Sequence, residues 1–185
     1  MRKGIQTVRI NNKFYFVSFT TLLTALHIAL EFFQGGVVTH YPLADTSNPG
    51  ISNWWGLVTL PILTWVVLTV AQLKASRRQD KAQPSNLILL QKNYLFGGLA
   101  FGLAMGILWE LGQEAVLQYL ILFPWLMAPF VRIYQPETSL GFVLGMMYTF
   151  GGVLPIAFAL VIQTIGYIIY KILNSGSKWL IAKYK

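Results

Sequence analysis

Apolar positions along this chain gather in long runs separated by short polar segments, rather than in the three-or-four-residue stripe of a soluble amphipathic helix. The first run spans roughly Phe14–Phe33 and stops at Gln34-Gly35-Gly36, where paired glycines break a helix. The second, Asn53–Leu73, opens on Trp54-Trp55, the kind of aromatic pair found at a membrane interface, and carries Pro61 as an internal kink. In the third, Tyr94–Gln113, the glycines at 98, 102 and 106 make a small-residue face that a second helix can approach closely. The fourth, Ala115–Val131, is short and interrupted by Pro124 and Pro129. The last, Gly141–Ile172, would be about 45 Å long as one helix, too long for an upright crossing of a hydrocarbon core of about 30 Å. Gly151-Gly152 and Pro155 are expected to split it into two short helices.

This pattern predicts an all-α protein, a polytopic integral membrane helical bundle of five to six transmembrane segments forming one membrane domain over residues 1–185. Composition agrees: with 55% hydrophobic and 11% charged residues, the chain cannot cover a soluble globule with polar surface. A net charge of +8 would suggest nucleic acid in a soluble domain, but here Lys and Arg sit between apolar runs, where they act as topology signals facing anionic lipid. The expected partner is therefore the lipid bilayer and not nucleic acid. With no cysteine, disulfides, thiolate metal ligands and Cys nucleophiles are excluded.

The positive-inside rule places the N-terminus (1–13), the basic loop 74–92 and the basic tail 173–185 in the cytoplasm, and the loop 34–52, which has no Lys or Arg, outside. That requires an even number of crossings: six segments, the last two short, satisfy it, and so do four with Ala115–Val131 re-entrant, while five would leave the lysine-rich tail outside. A bacterial-type cell membrane is the expected location.

Against this background His27 and Glu31 stand out, because ionisable groups inside an apolar run are costly and mark partners or function. Helix rise converts position into height: Glu31 lies ~25 Å up from Phe14 and Glu110 ~24 Å up from Tyr94. His27 and Glu31, like Glu110 and Glu114, are four residues apart and share a helix face. His40 and Asp45 lie on the outward loop and Asn53 opens the second run, whereas Asp80 and Glu137 are placed in cytoplasmic loops. Four carboxylates gathered at one level without Lys or Arg would repel unless protons or a metal relieved them. The candidate catalytic residues are thus Glu31, His27 and Glu110, and the candidate metal ligands are His27, Glu31, Glu110, Glu114, Asp45 and His40. Imidazole and carboxylate together suit a divalent metal ion such as Zn²⁺, Fe²⁺ or Mn²⁺ as cofactor. The same groups suit general acid–base work on a lipid-like or other apolar substrate, or a proton or cation pathway in a transporter or channel subunit. Nucleotide-binding, serine-hydrolase and HExxH motifs do not occur in a plausible context, so whether the chain is an enzyme stays open.

His27-x-x-x-Glu31 in a first span resembles the sterol-isomerase and sigma-2 receptor group of four-span proteins, in which a His and acids act on a lipid-like substrate. Glu31-x-x-Gln34 with Asn53-x-x-Gly56 is loosely similar to VanZ-like membrane proteins, with a different spacing between the two halves. Both likenesses rest on a few residues, and no residue role is carried over from either.

Overall fold

In the computed structural model, backbone is described for residues 2–41, 47–78 and 84–183, and side chains for 13–41, 47–74 and 92–173. The elements in chain order are α1 (Arg2–Phe33), β1 (Thr39–His40), β2 (Ile51–Ser52), a 3-10 turn (Asn53–Trp55), α2 (Gly56–Arg78), α3 (Pro84–Glu110), α4 (Glu114–Leu120), α5 (Phe123–Met127), α6 (Pro136–Phe150) and α7 (Val153–Lys183). α1 already begins at Arg2, and it ends before Gly35 and Gly36, both at positive φ. The two short strands pair antiparallel, Thr39 opposite Ser52 and His40 opposite Ile51, and so tie the two sides of the connecting loop together.

Three helical segments among the described residues, Lys13–Phe33, Asn53–Lys74 and Val153–Leu173, are long and apolar enough to cross a membrane. That is fewer than the five to six crossings expected from the sequence; what the structure shows is a mostly helical bundle with three such helices among the described residues. α6 has 15 residues, a rise of only ~22 Å, and α4 and α5 have seven and five. The last apolar run does split at Gly151-Gly152, but α7 is 31 residues long rather than short.

The first two helices are inside-out relative to a soluble protein. On α1, Phe16, Phe19, Leu22, Leu26 and Leu30 are exposed while Thr20, Thr24, His27 and Glu31 are buried. Spacings of four, three and four residues put these polar side chains on one inward stripe. α2 answers with Asn53 just before it and Thr64, buried, on its length. The Thr64 hydroxyl donates to Thr20 Oγ1 at 3.2 Å, and Lys13 Nζ donates to Thr69 Oγ1 at 3.0 Å, so α1 and α2 run antiparallel with a polar seam between them. An exposed apolar sheath around a polar seam is what a hydrocarbon solvent favours, since lipid competes for no hydrogen bond.

The glycine face of α3 packs as its spacing predicts. Backbone of α6 lies where side chains would stand: a Cβ on Gly98 would run into the Thr138 carbonyl, and one on Gly102 into that of Phe142. α6 reciprocates with Gly141 and Gly145 against Leu95 and Leu99. Because 98 meets 138 and 102 meets 142, α3 and α6 are parallel, and the chain must return between them. It does so through α4 and α5: Phe123 stacks on Phe101 at 6.4 Å halfway along, and Ile133 and Ala128 lie against Gly166 of α7. At the other end of α7, Gly152 sits against Gly56 at the start of α2, with 2.9 Å between Gly56 Cα and a notional Cβ on Gly152. The core between these helices is built on Leu60, Phe142, Val143, Met146 and Met147.

Candidate functional site

Glu31 is the centre of a polar cluster at the end of the bundle where α1, α6 and the 3-10 turn meet. Its carboxyl accepts from two directions: Asn53 Nδ2 donates to Oε1 at 2.6 Å, and the Val38 N–H donates to Oε2 at 3.3 Å. His27 Nε2 lies 3.3 Å from the same Oε1, close enough for an ion pair but not aligned as a hydrogen bond. His27, Glu31 and Asn53 are 8%, 9% and 4% exposed, so the cluster is largely shielded from solvent. Burial of this kind makes each hydrogen bond stronger and each missing one more costly.

Local structure explains how the three groups meet. The i,i+4 spacing puts His27 above Glu31 on α1. Asn53 is brought over by the hairpin, since its own N–H donates to the Val38 carbonyl at 3.0 Å, and Ser52 caps the turn that starts at it. The break between α6 and α7 then closes on Asn53. Gly151 has φ 65° and ψ −159°, a region reserved for glycine, and a Cβ there would collide with Asn53 Oδ1. Tyr148 stands beside His27 with 5.7 Å between ring centres.

His40 completes the surroundings. Its ring packs near Phe150 at 6.2 Å, and Phe150 in turn packs on Trp109 at 5.0 Å. Burial holds the His40 imidazole below its ordinary pKa; the nearby Glu31 charge opposes this and His27 adds to it. The Nε2 atoms of both His27 and His40 are buried and have no hydrogen-bond partner. A buried polar atom left in that state calls for an explanation.

Of the residues singled out in the sequence, the structure brings together His27, Glu31 and His40, and adds Asn53, Tyr148 and Gly151. Glu110 ends α3 at the same end of the bundle, one residue beyond Trp109, but it is exposed and makes no hydrogen bond or ion pair with Glu31 among the described residues. Glu114, in the first turn of α4, is exposed as well. Helix rise fixes height but not direction around the axis, so equal depth did not bring the carboxylates together. Asp45 lies outside the described residues, as does Asp80. Glu137, expected in a loop, is instead buried in the first turn of α6 with Oε2 unpartnered. No group of three or more His, Asp or Glu among the described residues is arranged to hold a metal ion. The six-ligand set is not assembled there.

The fold and site describe a helical bundle with three helices suited to a membrane and a buried His/carboxylate cluster at one end. No family model, curated protein or solved structure matches the chain.

Proposed function

We propose that the chain is an integral membrane protein whose Glu31 cluster lies near the outer surface of the bilayer and performs proton-transfer chemistry on a lipid-like or other apolar substrate. Six segments are the crossing count that suits the chain's path, with α4 and α5 together making the broken return between α3 and α6. That count keeps both basic ends in the cytoplasm.

The observation that carries the reading is the pair of buried imidazole Nε2 atoms that make no hydrogen bond, that of His27 standing 3.3 Å from a carboxyl fixed by Asn53 and Val38. A purely structural staple would satisfy its own donors and acceptors, whereas an acid–base site leaves positions open for substrate. In this reading Glu31 and His27 exchange the proton, Asn53 positions Glu31, and His40 and Tyr148 line the approach. Comparative lipid mass spectrometry of cells expressing the wild type or Glu31→Gln at equal levels tests it. At least one lipid class should differ in amount or mass between the two; identical profiles would count against the proposal.

A second reading, a proton- or cation-coupled transporter or channel subunit, draws on the Gly151-Gly152 break that closes on Asn53, because interrupted helices at a polar site are a feature of coupled transporters. It predicts a pH-driven flux in proteoliposomes that disappears in Glu31→Gln.

A further inference from the structure

The end of the bundle away from Glu31 collects cations. Lys13 opens the first apolar span, Lys74 closes the second, and Lys171 stands near the close of the third, Val153–Leu173. Arg132, on the link between α5 and α6, is tied to the same end through α7, where its Nε donates to the Tyr170 hydroxyl at 3.2 Å. Counted along α7 by helix rise, Tyr170 lies ~26 Å from Val153 and about one turn short of Leu173. That is the level at which a hydrocarbon core gives way to headgroups. No carboxylate offsets the charge of Arg132: it makes no ion pair among the described residues, and Glu137, in the first turn of α6, is buried and makes none either.

Tyrosines shape the surroundings of the guanidinium. Its central carbon is 5.7 Å from the centre of the Tyr170 ring. Tyr134 packs on Tyr170 at 5.2 Å and on Tyr167 at 5.3 Å, and Lys171 Nζ lies 5.9 Å from the Tyr167 ring centre. The result is a row of three aromatic rings with a cation at each end. Cation–π contact and the bond to Tyr170 hold the guanidinium plane, and its two Nη nitrogens make no hydrogen bond among the described residues. Arg132 is partly exposed, so the open side of its fork can be reached, and that fork matches two oxygens of a phosphate.

The neighbouring surface restricts the source of the phosphate. Just before Arg132 in the chain, Phe130 and Val131 are 82% and 42% exposed, and Ile172, beside Lys171, is 64% exposed. A soluble anion would leave these side chains uncovered, whereas the acyl chains of a lipid cover them while its headgroup meets the cation.

We propose that Arg132, framed by Tyr134, Tyr167, Tyr170 and Lys171, holds the phosphodiester headgroup of an anionic phospholipid at the end of the bundle opposite Glu31, with the acyl chains of that lipid over Phe130 and α7. The site rests on the membrane placement proposed above and not on the chemistry at Glu31.

Photolabelling of the full chain in phosphatidylcholine vesicles tests this with a trace of phosphatidylglycerol that carries a diazirine near its glycerol. Labelled peptides should map to 130–135 and 167–172. Unlabelled phosphatidylglycerol should compete, and extra phosphatidylcholine should not. Arg132→Gln should lower labelling of these peptides about fivefold by removing the charged fork. Arg132→Lys, which keeps the charge and the fold, should still lower it about threefold, because an ammonium cannot bind two oxygens side by side. Lys13→Gln removes the same charge from the same end, where Lys13 is held by Trp65 and Thr69, and should change labelling by less than about twofold. Equal losses in Arg132→Gln and Lys13→Gln, or none in Arg132→Lys, would reduce the site to diffuse attraction and overturn it. Competition by phosphatidylcholine equal to that by phosphatidylglycerol would overturn the anionic headgroup. Loss of labelling in inorganic phosphate, beyond that in chloride of the same ionic strength, would overturn the lipid source. Protein stripped from the vesicles by alkaline carbonate would overturn the membrane placement and the site with it; protein retained but not selectively labelled would overturn the site alone.

Discussion

Replacing Gly151 by alanine probes the joint on which the Glu31 cluster depends. At φ 65° and ψ −159° an alanine is strained by about 1–3 kcal/mol before any contact is considered. Its Cβ would also occupy the position of Asn53 Oδ1, so Asn53 must turn away or the α6–α7 break must open. Turning Asn53 away forfeits the 2.6 Å bond to Glu31, a neutral donor to an acidic acceptor, at about 1.5–3 kcal/mol in water and nearer 1 kcal/mol if measured in a bilayer. Gly151→Ala should therefore destabilise the protein by roughly 2–4 kcal/mol. In an Asn53→Ala background the collision disappears and the bond is already lost, leaving only backbone strain, so the two substitutions should couple by about 1–2 kcal/mol. Reversible unfolding in mixed micelles, run on the wild type, both single variants and the double, measures each corner of that cycle. Additivity within about 0.5 kcal/mol would refute the claim that the helix break positions Asn53.

Three further outcomes follow from other parts of the molecule. Gly102→Val should destabilise the bundle by more than about 3 kcal/mol, read as loss of folded protein on size exclusion, because α6 backbone fills the space the side chain would need. Since burial lowers the His40 pKa, the folded state disfavours its charged form; stability is unaffected above its ordinary value of 6.5 and falls as pH drops below that toward the lowered pKa. Thermal melts across that window should show the decline, and His40→Gln should flatten it. Thr64→Val removes the bond to Thr20 in the α1–α2 seam and should cost about 0.5–1.5 kcal/mol in the same unfolding assay.

The parts of this architecture that are written locally could be read from the sequence. Gly98, Gly102 and Gly106 announced a close helix approach through their spacing alone, and Gly151-Gly152 announced the break before α7, because both are consequences of having no side chain. The partners were not legible. That α6 meets α3 through Gly141 and Gly145 depends on which way the chain returns after α5, which no local pattern encodes. For the site, the four-residue spacing paired His27 with Glu31, yet the strongest bond Glu31 makes is to a residue 22 positions away across a hairpin. Glu110 shows the converse: its depth could be computed from helix rise, but its azimuth could not, and it faces outward. His40 stood out only as a candidate ligand on an outward loop and Glu137 only as a loop residue, and only tertiary packing buries the Nε2 of the one and the carboxyl of the other.

The central claim is that Asn53 fixes the Glu31 carboxyl inside the bundle. Infrared difference spectra of the protein in bilayers, recorded as pH is stepped, read that carboxyl directly. The account predicts a Glu31 carboxyl band, identified by its loss in Glu31→Gln, that shifts in frequency in Asn53→Ala; a band at the same frequency in the wild type and Asn53→Ala would contradict it.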